Sequence, residues 1–145
     1  MPKNARALAR LRKQQFDRAE QALAAANAHL NRLQERKAQL REQMRRVEPP
    51  SRGTGAQLEG VVAQRRAIQR AVEALESEIE AAEAQKREKE RLLREAHIAW
   101  EQAKSIESQI LGEILARQKR ETANRLDEIA SQKFWRDRNR REEKR

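Results

Sequence analysis

Apolar residues recur at alternating steps of three and four along nearly the whole chain, and two adjacent prolines interrupt the rhythm once. In the first stretch Phe16, Ala19, Leu23, Ala26, Leu30, Leu33, Leu40, Met44 and Val47 keep this spacing, with Lys37 on the same line. In the second, Leu58, Val61, Ile68, Val72, Leu75, Ile79, Ala82, Leu93, Ala96, Trp100, Ala103, Ile110 and Ile114 do so, with Arg65, Lys86, Lys89 and Glu107 among them. A three-four repeat places its residues on one stripe of an α-helix and is the pattern of a coiled-coil seam. Pro49 and Pro50 lack the amide hydrogen that a helix interior needs, and Gly53 and Gly55 follow closely, so helix must stop here. The spacing predicts a single coiled-coil domain over residues 1–145. It consists of a first helix over about 5–47, a turn at 48–56, a second helix over about 57–139 and a basic tail to 145.

Composition decides against the main rival, disorder. Leu, Ile, Val and Phe are scarce and 39% of residues are charged, a balance that also suits unfolded chains. The repeat is too sustained for that reading, however, and the residues that replace large apolar ones are Ala, Glu, Gln, Arg and Lys, all good helix formers. With 4 Gly, 3 Pro and no Cys, a sheet, a disulfide framework and Cys-based zinc sites are excluded together. No stretch approaches the ~18 apolar residues that span a bilayer, and the N-terminus lacks the apolar run of a secretion signal, so the expected location is cytoplasmic. The net charge of +10 points to acidic partners.

One amphipathic helix cannot bury its own stripe, and a short connection lets the second helix fold back on the first. The predicted fold is therefore all-α, a two-helix antiparallel coiled-coil hairpin whose longer second helix overhangs the first. Charge agrees: residues 1–47 are strongly basic, 71–115 acidic and 116–145 basic again. A turn centred near Arg52 sets residue i opposite about 104 − i, gives a rod about 65 Å long, and leaves roughly the last 40 residues beyond the N-terminus. Glu42 with Arg46, Glu83 with Arg87, Glu90 with Arg94 and Glu121 with Arg125 are spaced for helical ion pairs. Past Ile114 the register shifts: Leu115 and Leu126 are eleven residues apart, a stutter that changes how the helix can pack.

Chemistry is hard to find. His29 and His97 lie beside the seam, Gly53-Thr54-Gly55 has neither the spacing nor the context of a phosphate loop, and the carboxylates fall at helical spacing among Lys and Arg. No catalytic, cofactor or metal residues are expected. Trp100 sits on the seam as a core anchor, and Lys37, Lys86 and Lys89 read as snorkelling register-setters. Phe134 and Trp135, between Lys133 and Arg136, lie beyond the predicted pairing and have the make-up of an interface hot spot. Arg136, Arg138, Arg140 and Arg141, together with Arg6, Arg10 and Arg12, would bring basic charge to one end of the hairpin. Docking to an acidic partner stands here beside a solvated, frayed terminus. Specific nucleic-acid binding is not expected, because the tail also carries Asp137, Glu142 and Glu143 and does not interleave aromatics. At the other end Leu58, Val61, Val62 and Ile68 cluster just after the turn.

This layout, with Leu126-Asp127-Glu128-Ile129-Ala130-Ser131-Gln132-Lys133-Phe134 leading into a basic tail, resembles the FliJ family of flagellar export proteins. The stalk proteins of virulence type III secretion, the YscO group, share it. The resemblance implies a non-enzymatic central stalk of a type III export ATPase, cytoplasmic and peripheral at the inner-membrane export apparatus. Its partners would be the hexameric ATPase, the export-gate membrane protein and export chaperones. By the same resemblance Arg6, Arg10, Arg12, Leu126, Phe134, Trp135, Arg136, Arg138, Arg140 and Arg141 would meet the ATPase ring, and Leu58, Val62 and Ile68 the gate. The alternative is a generic cytoplasmic coiled-coil scaffold, a homodimer for instance; a nucleic-acid-binding basic coiled coil comes third.

Overall fold

In the computed structural model, residues 2–48 and 53–143 are described. They form two helices, α1 over Pro2–Arg46 and α2 over Gly55–Glu143. Together these make the all-α antiparallel two-helix arrangement expected from the repeat. Pro2 opens α1, where its missing amide costs nothing. At the other end Val47 N–H still reaches the carbonyls of Gln43 and Met44, and the chain then leaves the helix ahead of Pro49, as the residues before a proline tend to do. The start of α2 is fixed by a reciprocal cap: Thr54 N–H donates to Gln57 Oε1 at 3.2 Å, and Gln57 N–H donates to Thr54 Oγ1 at 3.4 Å. The Gln57 side chain satisfies the Thr54 amide, while the Gln57 amide is shared between the Thr54 hydroxyl and the Thr54 carbonyl at 3.1 Å.

The packing divides into two compact units, one of Lys13–Ile98 and one of Met1–Arg12 with Ala99–Arg145. In the first, Leu40, Ile68 and Val72 are buried together, with Met44, Val47, Ala71 and Leu75 packed around them, and Leu30 and Ala82 are buried further along. Lys37 Nζ lies 3.3 Å from Glu76 Oε1 and Arg41 reaches the same oxygen at 3.5 Å; farther on, the Phe16 and His97 rings lie 5.5 Å apart. In the second unit the buried side chains are Ala5, Ala9 and Ala103, and Arg6 lies 3.8 Å from Glu107. Small residues there let the two backbones approach closely.

These contacts correct the expected register. Within each unit residue i lies opposite about 113 − i, nine residues from the register of a turn centred near Arg52. Arg46 thus reaches only the level of about residue 67, and the first three turns of α2 run past the end of α1. Every residue from 53 to 67 is accordingly exposed except Val61, which is half-buried. At the opposite end α1 gives out near the level of Leu111, so the overhang is shorter than expected, about 30 residues, and every described residue from 115 to 143 is exposed. Of the four expected helical pairs, Glu42–Arg46 forms at 3.5 Å. In the acidic block it is Arg91 that bridges two carboxylates, those of Glu88 and Glu95.

Candidate partner-binding segment

Among the described residues, most of the highly exposed large apolar side chains fall in residues 115–143 of α2. Leu115, Leu126, Ile129, Phe134 and Trp135 are each more than half exposed. They fall on two faces. At about 100° per residue, Trp135 lies half a turn around the helix from Leu126, while Leu115 and Ile129 lie close to Leu126. Phe134 and Trp135 meet edge to face, with ring centroids 6.1 Å apart and planes at 79°. The Arg138 guanidinium carbon stands 5.3 Å from the centre of the Trp135 ring, in cation–π range, and the Arg138 Nε is 3.7 Å from Glu142. The aromatic pair is therefore pre-arranged by its own neighbours and open to solvent on its outer side. That is the condition of a hot-spot anchor, rigid and not yet desolvated.

The expected ring-facing residues do not come to one place. Trp135 and Arg138 lie on the side of the helix away from Leu126, Phe134 and Arg141 lie between, and Arg136 and Arg140 lie around the other way from Leu126. Arg6 sits at the level of Glu107, so about 45 Å of helix, at ~1.5 Å per residue, separates it from Arg138. Arg10 is exposed and Arg12 half-buried, farther still from the tail in this unit. At the turn end Leu58 and Val62 are 44% and 47% exposed, but Ile68 is buried against Leu40 and Val72. Ile68 is thus a core side chain, and of the three expected gate residues it is the one that packing withdraws.

Trp100, on the seam, is half-buried, with Lys104 Nζ 3.9 Å from its ring centre. His97 stacks obliquely on Phe16, and the two border a shallow apolar groove with Leu93, Arg94 and Ile98. Among the described residues no group of three or more His, Asp or Glu side chains is placed to hold a metal ion, and no helix is long and apolar enough to cross a membrane. Two features escaped the sequence reading although their signals were present: the Thr54-x-x-Gln57 cap, and the place of Lys133 on the line that Leu115, Leu126 and Ile129 make.

Comparison with curated proteins and with solved structures found no match. A family model described as "Flagellar FliJ protein" matches residues 5–139, nearly the whole of both helices. The chain belongs to the FliJ family, a family of flagellar protein export.

Proposed function

We propose that this chain is the central stalk of a flagellar export ATPase, entering the hexameric ring with the terminal part of α2 and facing the membrane export gate with the turn end. The observation that carries the reading is the exposed Phe134–Trp135 pair backed by Arg138, on a helix that runs on after α1 has ended. A helix of this kind can touch identical subunits of a ring unequally. Differential contact energy is what biases their conformations or their assembly. Phe134, Trp135, Arg138 and Arg141 are the proposed anchors, and Arg6 and Arg10 form a separate basic band nearer the paired region. Leu58 and Val62 remain as the gate-facing pair. Escort of export chaperones rests on the family alone and has no surface assigned to it.

The test is a chain truncated after Ala130. It keeps all the buried seam, so it should retain the helical signal and melting temperature of the paired region yet fail to bind and stimulate the purified ATPase. Phe134→Ala with Trp135→Ala in the full chain should cost at least ~2 kcal/mol of binding. Equal stimulation by truncated and full-length chains would sink the site assignment.

A further inference from the structure

The face of the overhang that the aromatic pair does not use has a chemistry of its own. Leu115, Thr122, Leu126 and Ile129 lie within about 60° of one another around the helix, and the leucine spacing of eleven residues is the step of a right-handed pairing rather than of a left-handed heptad supercoil. The stripe runs in two shallow concavities, one lined by Leu115, Lys119, Thr122 and Leu126 among others, the next by Ile129, Lys133, Arg136 and Arg140. Leu115, Leu126 and Ile129 are 59%, 62% and 61% exposed, so α1 covers none of it.

Charge is sorted around this stripe. Between residues 115 and 140, Lys119, Arg125 and Arg136 flank it within a quarter turn of its centre and Lys133 and Arg140 continue its line, with Asp137 as the one acid there. Glu121, Asp127 and Glu128 fall on the far side, where Arg117, Arg120 and Arg138 balance them. Upstream the relation is the reverse: α2 is acidic over 71–115 and is covered by a basic α1. The same helix thus passes from an acidic segment with a basic helical partner to a basic segment with none.

We propose that residues 115–140 form a second docking surface, separate from the aromatic face, whose occupant is an acidic amphipathic helix of another protein. The narrow stripe favours a helix as occupant. A helix lying in a lipid surface needs an apolar face wider than about 100°, whereas a stripe of about 60° matches the seam between two paired helices. The five cations on and beside the stripe disfavour a second copy of this chain, since antiparallel self-pairing about Thr122 would set Lys119 against Arg125. The proposal does not use Phe134, Trp135 or Arg138, so its failure and the failure of the ATPase reading are distinguishable.

The experiment uses the full chain and two synthetic helical peptides of about 25 residues, with Leu and Ile spaced to match the stripe. One peptide has Glu on both flanks of its apolar line and the other has Lys. Fluorescence anisotropy near physiological salt should show the Glu peptide binding at least tenfold more tightly than the Lys peptide. Leu126→Asp with Ile129→Asp should abolish that binding and leave the helical circular dichroism unchanged, and Phe134→Ala with Trp135→Ala should not affect it. Reversing Lys119, Arg125, Lys133 and Arg136 to Glu should invert the peptide preference, which a mere loss of structure could not do. Equal binding of the two peptides, or Glu-peptide binding that survives Leu126→Asp with Ile129→Asp, overturns the proposal. So does stripe-dependent dimerisation in sedimentation, or stripe-dependent binding to phosphatidylglycerol vesicles in preference to the Glu peptide.

Discussion

At the scale of single residues this molecule has little interior: no side chain in the described residues is fully buried, and half of the buried apolar residues are alanines. Each larger one therefore matters. Leu40→Ala should cost about 2 kcal/mol, the lower end of the range for such changes, because the cavity opens to solvent; urea unfolding followed by circular dichroism measures it. Leu126→Ala, at an exposed position, should stay within about ±0.5 kcal/mol in the same assay. Ala103→Leu should destabilise by ~1 to 3 kcal/mol, since the close approach near Ala5 and Ala9 leaves no room for it. Charged residues act differently. The Arg91 guanidinium hydrogen-bonded to Glu88 lowers the carboxyl pKa below the ordinary glutamate value, and the same contact raises the arginine. A depressed carboxyl pKa stabilises the folded state above the unfolded-state pKa, and that contribution is lost as pH falls through the folded value. Carbon-detected NMR titration should find Glu88 titrating below ordinary glutamate, and Arg91→Ala should return it. A Glu88 midpoint indifferent to Arg91→Ala would refute the pairing.

Elements were legible to different degrees, for physical reasons. The three-four rhythm of Phe16 to Val47 and of Leu58 to Ile114 identified both helices, because a seam must repeat wherever two helices pair. The register was not legible. Sliding one helix by a heptad preserves the apolar matches, so the repeat alone fixes no register, and 104 − i comes only from centring the turn on Arg52. What fixes 113 − i is side-chain reach, namely Lys37 and Arg41 converging on Glu76, and the extra turns of α2 before it meets α1. The tail was half legible: Phe134 and Trp135 announced themselves by being aromatic in a polar stretch. That Arg136 and Arg140 turn away from them follows only from counting around a helix that stays continuous to Glu143. Two predictions belong at this scale. Thr54→Ala removes the hydroxyl that accepts from Gln57 N–H and should cost about 1 kcal/mol, read as a lower urea midpoint. A double-mutant cycle on Lys37→Ala and Glu76→Ala should give a coupling of ~0.2 to 1 kcal/mol, the range for a partly exposed pair. Zero coupling would refute the register that sets Lys37 opposite Glu76.

For the whole molecule the open question is how many chains make the pairing. The seam contacts between α1 and α2 could be made within one chain or, with the turn opened, between two chains exchanging the same helices. The energies of the contacts are identical in the two cases, so concentration decides. A connection as short as the one between Arg46 and Gly55 holds the second helix at an effective concentration of order millimolar. At micromolar protein the intramolecular form is therefore favoured by about a thousandfold. Charge acts in the same direction, since the net +10 makes two chains repel while each α1 already lies beside the acidic part of its own α2. Sedimentation equilibrium between about 1 and 100 µM at physiological salt should give the mass of one chain throughout. A concentration-independent dimer would refute intramolecular closure and favour the scaffold reading. It would also change the functional argument, because a two-fold symmetric object has two equivalent tails, whereas a stalk that distinguishes the subunits of a ring needs one.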